Sequence, residues 1–92
     1  MHLVDVTNSY ADQIHRELVT TPLRFIQVYT LGNSLVTHRR GATEDTVAIT
    51  NRHRPVTPAE LAYIREHLFA PTQSPVVARK GTTITLTAER CA

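Results

Sequence analysis

The side chains able to do chemistry in this sequence are few and scattered. Five histidines occur, His2, His15, His38, His53 and His67, and none falls in an HExxH or HxH pattern. The single cysteine, Cys91, is penultimate and has no second thiol for an internal disulfide or a zinc site. Asp12 and His15 share a helix face at i, i+3, a spacing that pairs surface side chains and holds a metal only with outside ligands. Ser9, Ser34 and Ser74 stand in no nucleophile elbow, and no Gly-x-Gly-x-x-Gly or Walker loop is present. Two residues remain as acid–base candidates, His38 inside a strand and Asp5 where the first strand gives way to a helix. A core-facing His38 beside Val47 needs a hydrogen-bond partner such as Gln27, and a satisfied sheet histidine is the simpler reading. Free amides at a strand-to-helix junction can take an anion, but Asp5 opposes one.

The regional bias in charge is basic. Between Arg24 and Arg54 five arginines stand against Glu44 and Asp45, in a chain whose net charge is only +2. Arg24, Arg39 and Arg40 fall at one end of the central strands. Arg52 and Arg54, with His53 between them, fall about 23 Å away at the other. Guanidinium pairs grip phosphates bidentately, so these five arginines are the candidate anion or nucleic-acid residues. Stacking platforms also need exposed aromatics, and here Phe25 and Tyr29 read as core. No RNP-like, KH-type or zinc-finger pattern appears. Nucleic-acid or nucleotide binding is therefore an alternative reading, and solvated rim charge is the simpler account.

These residues must be positioned by short elements. The chain has 92 residues, enough for a single α+β domain over residues 1–92 with one modest core. Fourteen threonines favour strands. Leu3 to Val6 reads as a strand, and Ser9 with Asp12 as a capping pair for a helix whose stripe is Tyr10, Ile14 and Leu18. Leu23–Leu31, Ser34–Arg39 and Asp45–Asn51 read as a three-stranded meander, reversed at Gly32-Asn33 and Gly41–Glu44. Thr57, Pro58 and Glu60 form a capping box with proline at the first helical position, and Val56 with Leu61 a hydrophobic staple. Leu61, Ile64 and Leu68 form that helix's buried face. Val76–Lys80 and Thr82–Ala88 flank Gly81 as a last hairpin. The order β-α-β-β-β-α-β-β predicts a two-layer α+β fold, a mostly antiparallel sheet with both helices on one face.

Pairing across Gly32-Asn33 as a two-residue loop sets Leu31 opposite Ser34, Tyr29 opposite Val36 and Gln27 opposite His38. A four-residue second turn sets Val36 opposite Ile49 and His38 opposite Val47. One face then collects Phe25, Tyr29, Val36, Val47 and Ile49, while the other still carries Ile26, Val28 and Leu35. Something must cover such a second face, a helix, the C-terminal strands or another copy of the chain, and a leftover apolar patch often marks an interface. Ile26, Val28 and Leu35 are therefore the candidate contact residues of a homodimer. The longest unbroken apolar run, Leu61 to Ile64, has four residues, so no membrane span is expected. One cysteine and no signal pattern lead to an expectation of a cytoplasmic protein.

Three stretches carry a family resemblance: Leu3-Val4-Asp5-Val6-Thr7-Asn8-Ser9-Tyr10-Ala11-Asp12, Val28-Tyr29-Thr30-Leu31-Gly32-Asn33-Ser34, and Ile49-Thr50-Asn51-Arg52. Together they resemble a family of small uncharacterised proteins, a domain of unknown function from lactic-acid bacteria and relatives. The likeness covers nearly the whole chain and is most specific in the opening ten residues. It implies a stand-alone cytoplasmic bacterial protein and no particular reaction. The functional expectation is a non-catalytic interaction or structural module without cofactor, acting on itself or another protein. Nucleic-acid binding is the alternative, and a small enzyme using His38 or Asp5 a second one.

Overall fold

The structure, a computed structural model, describes residues 1–90. Its elements are β1 (Leu3–Asp5), a 3-10 turn (Thr7–Tyr10), α1 (Ala11–Thr20), β2 (Phe25–Leu31), β3 (Ser34–Arg40), β4 (Glu44–Thr50), α2 (Pro58–Leu68), β5 (Val76–Lys80) and β6 (Thr83–Glu89). The six strands form one antiparallel sheet in the order β1-β2-β3-β4-β6-β5. The α+β class and the element order are those the patterning predicts. Cys91 lies outside the described residues.

Turn chemistry sets the register. Gly32 and Gly81 take φ of +59° and +61°, each at the first central position of a two-residue hairpin loop, where L side chains are strained. Leu31 then pairs with Ser34, Tyr29 with Val36 and Gln27 with His38, and in the next hairpin Val36 pairs with Ile49 and His38 with Val47. Every one of these pairs is the expected one.

The alternation of side chains assigns the two faces. On one face Leu31, Val36, Val47, Ile49, Ile84, Leu86 and Ala88 pack with Val56, Ile64 and Phe69 into a buried core. Helix α2 closes it through Ile64, with half-buried Leu61, Tyr63 and Leu68 around it. The capping box is complete: the Glu60 N–H donates to Thr57 Oγ1 at 3.2 Å, and the Thr57 N–H to Glu60 Oε1 at 2.9 Å.

The opposite face is covered differently, and here two expectations are corrected. First, the helices do not share a face: α1 lies over β2 and β3 on the side away from α2. Its Glu17 carboxylate takes both Arg39 Nε (2.7 Å) and Nη2 (3.3 Å), and Arg39 alternates with core-facing His38. The apolar residues Ile26 and Val28 point to this second side and need cover of their own. Second, α1 starts at Ala11 without a side-chain cap, and Ser9 sits within the 3-10 turn. Thr7 outcompetes it: its hydroxyl accepts the Val28 N–H (3.1 Å) and lies 3.3 Å from Val28 O, while its own N–H donates to Asp5 Oδ1 at 2.8 Å. These bonds, with Val6 N–H to Val28 O, bind the turn to β2 and fix where the helix can begin.

Candidate functional site

Three polar groupings are built into this frame, and the first two consume residues that could otherwise do chemistry. The first joins α2, the 51–57 connection and the β2–β3 hairpin. Ser34 Oγ donates to Glu60 Oε2 at 2.5 Å and accepts Asn51 Nδ2 at 3.0 Å. Asn51 Oδ1 receives the N–H groups of His53 (2.9 Å) and Arg54 (3.0 Å), which locks the connection into a turn. Arg54 Nη1 and Thr57 Oγ1 close on Glu60 Oε1 at 2.6 and 3.1 Å. Ser34, Asn51 and Glu60 are all buried, Glu60 with only 2% of its surface exposed. Burial pushes the Glu60 carboxyl up, but the hydrogen bonds from Arg54, Ser34 and Thr57 outweigh it and hold the group down at about 2. Glu60 is therefore an ionised, satisfied clasp with no proton to exchange near neutrality. Ser34 and Asn51 both lie within stretches that carry the family likeness, yet in sequence each reads only as the end residue of a strand.

The second cluster surrounds buried Asp45. Arg40 Nε and Gln73 Nε2 reach its two oxygens at 3.1 Å each, and Arg90 Nε stands 3.7 Å away. Gln73 also accepts the Ala70 N–H (2.7 Å), and Arg90 bonds the carbonyls of Gly41 and Ala42. This ties the end of β6 to the β3–β4 turn and to the segment after α2. The third is His38, which stands alone. It is 4% exposed and neither ring nitrogen has a hydrogen-bond partner. Gln27, the expected partner, instead accepts the Tyr29 hydroxyl at 2.6 Å, so that expectation is corrected. His38 meets Phe25 edge to face at 5.4 Å. Burial lowers its pKa, with Asp45 opposing and Arg40 adding to the drop, so the ring stays neutral. Asp5, the other acid–base candidate, is exposed and spends Oδ1 on the Thr7 turn, which lowers its pKa.

The arginine set divides. Arg39 pairs with Glu17, Arg40 with Asp45 while lying 4.9 Å over the Phe25 ring, and Arg54 with Glu60. Among the described residues, Arg24 and Arg52 have no carboxylate at salt-bridge distance. Arg24 does meet Arg40 at one end of the sheet, through its N–H to Arg40 O at 2.7 Å, but Arg39 points to the opposite face. The contact trio also divides. Ile26 and Val28 are only 5% and 4% exposed, covered from within the chain by the α1 side, so neither is free for a partner as the uncovered face required. Leu35 stays half-buried and lines, with Tyr10, Ile14 and Thr37, a cavity of about 440 Å³ between α1 and the sheet.

Helix α1 is a thin cover. It buries no residue of its own, and Leu18 and Val19 remain exposed, Val19 by 72%. Beyond it the same sheet face runs on through Thr46, Ala48 and Thr50 of β4 and Thr83, Thr85 and Thr87 of β6, all half-buried. Edge strand β5 follows, exposed at all five residues. Register places Val76 in one cross-strand row with Thr87 and Thr46, and Val4 beside Thr30, so both valines lie on the α1 side.

Residues 1–89 match the model of a family described as "Domain of unknown function (DUF1827)". The chain belongs to that family. A crystal structure of a conserved protein of unknown function from Streptococcus thermophilus superposes with a TM-score of 0.88 at 20% identity, over 100% of this chain and 99% of that one. At that identity the likeness carries the fold alone, and it agrees with the family's lactic-acid-bacterial setting. No curated protein matches the chain. No helix of the described residues is long and apolar enough to cross a membrane.

Proposed function

We propose that this member of the family is a non-catalytic interaction module that acts as a homodimer, with the α1 side of the sheet as the contact surface. One observation carries the reading. Among the described residues six large apolar side chains are exposed, and four of them, Val4, Leu18, Val19 and Val76, lie on the α1 side, against Val77 on the α2 side. The polar side chains in the clasp and around Asp45 are spent on holding the α2 side together. The occupant that fits is a second copy. Six strands span about 24 Å, more than one helix of 10–12 Å diameter covers. The chain supplies one helix on this face, over β2 and β3. The threonine and alanine strip of β4 and β6 is about one helix wide, and the α1 of a second copy, related by a two-fold axis, would lie on it reciprocally.

Light scattering during size exclusion tests this, with reductant present so that Cys91 forms no intermolecular disulfide. The expected mass is twice the 10.3 kDa of the chain. Thr85→Arg, which places a charge in the middle of the strip, should return the single-chain mass while circular dichroism stays unchanged. A single-chain mass for the unmodified protein at high micromolar concentration would overturn the reading. So would a Thr85→Arg protein that keeps its partner.

A further inference from the structure

A second surface, away from the proposed contact face, brings together basic residues that are far apart in sequence. The turn of the β5–β6 hairpin comes back beside the 51–57 connection, tied there by the Asn51 N–H to Thr82 O at 3.4 Å. Between them lies a cavity of about 280 Å³, lined by Arg52, His53, Arg54, Arg79, Gly81 and Thr82 among others, and no acidic side chain lines it. Among the described residues, neither Arg52, His53 nor Arg79 has a carboxylate at salt-bridge distance, while Arg54 spends Nη1 on Glu60 and on Pro55 O. Three arginines and a histidine thus line one recess, against the single carboxylate of Glu60 that holds Arg54. The chain's whole net charge is +2, so this one recess concentrates as much positive charge as the entire molecule has in excess.

The walls are held before any ligand arrives. Buried Asn51 fixes the backbone of His53 and Arg54 from below, and Gly81 at φ +61° closes the opposing turn. The backbone around the recess is thus ordered before an anion enters, and the remaining cost is that of settling the exposed Arg52 and Arg79 side chains. Forked guanidinium donors drawn from two segments of chain suit a tetrahedral oxyanion better than a planar carboxylate, which one arginine can satisfy. The volume lies just under the range for drug-sized ligands and suits a small one.

We propose that this recess is a binding site for the phosphate group of a phosphorylated small molecule, with Arg52 and Arg79 as its principal ligands and His53 and Thr82 beside them. The test is a titration of the full-length chain with inorganic phosphate and with pyrophosphate, followed by amide NMR at constant ionic strength, with acetate as the planar control. Saturable shifts confined to residues 52–54 and 79–82 are expected, tighter for pyrophosphate, with acetate at least tenfold weaker. Arg79→Ala and Arg79→Gln should each weaken phosphate binding by about tenfold or more, and Arg24→Ala, an equally unpaired arginine outside the recess, should leave it unchanged. Shifts that do not saturate, equal responses to acetate, or an Arg79 variant that binds as well as the unmodified chain would each overturn the site. An oligonucleotide that binds with a footprint reaching Arg24 and Arg40 would also overturn it, in favour of a nucleic-acid surface.

Discussion

The two faces of the sheet are made from the same strands and do different work. On the α2 side Leu31, Val36, Val47, Ile49, Ile84, Leu86 and Ala88 are all buried, Ile64 is wholly buried, and the Ser34–Asn51–Glu60–Arg54 clasp bolts the helix to the hairpin. On the α1 side a ten-residue helix has no buried residue of its own, a cavity remains under it, and half the face is threonine and alanine without a helix of this chain above it. The contrast teaches where stability and contact are divided. Cohesion is concentrated behind α2, which leaves the other face loose and open to the contact proposed for it.

The largest expected effect is in the tight core. Ile64→Ala should cost about 4 kcal/mol by denaturant unfolding, because a fully buried branched side chain leaves a cavity that the sheet cannot close. An equal and small effect at this position and on α1 would break the comparison. Glu60→Gln comes next, at about 3 kcal/mol near neutral pH. The sign follows from the depressed carboxyl: the native group holds its charge down to about 2 and the unfolded one only to 4.5. Its stabilisation is therefore complete above pH 4.5 and fades as pH falls towards 2. Unfolding curves of the two proteins should converge over that window, and a difference that persists unchanged at pH 2 would show that packing, not charge, holds the clasp.

Ile14→Ala on α1 should cost only about 1 kcal/mol, in line with partial burial. A loss as large as that of Ile64→Ala would mean that α1 is part of the core after all. The smallest effect has the opposite sign. His38→Leu should stabilise the fold by about 1 kcal/mol, since it removes two buried ring nitrogens without partners. The lowered pKa adds a pH dependence. Below about 6.5 the unfolded chain takes up a proton that the native ring resists, so native stability falls with acidity and the gain in His38→Leu grows. A gain that stays flat from pH 7.5 to 5.5 would contradict a buried neutral histidine.

Much of the fold is legible in the residues. Gly32-Asn33 fixed one register because a two-residue loop leaves no slack, and Thr57-Pro58-x-Glu60 marked a helix start because capping is local chemistry. The placement of α1 was less legible. Both faces of the meander are mixed, and a helix with the stripe Tyr10, Ile14, Leu18 can serve either. Arg39 paired with Glu17 decides it, a contact across 22 residues that no local pattern announces. The clasp was hidden for the same reason. Glu60 carries one oxygen for its own cap and one for Ser34, 26 residues away, and only the first has a sequence signature. The basic recess needed the β5–β6 turn to meet the 51–57 connection, so Arg52 and Arg54 were visible as a pair while Arg79 was not.

The division between the faces is tested most directly by hydrogen exchange with mass spectrometry at low and high protein concentration. The account predicts that α1 and strands β4, β6 and β5 gain protection as concentration rises, while α2 and its clasp are equally protected at both. Protection of α1 that is already high in dilute solution and does not change with concentration would contradict it.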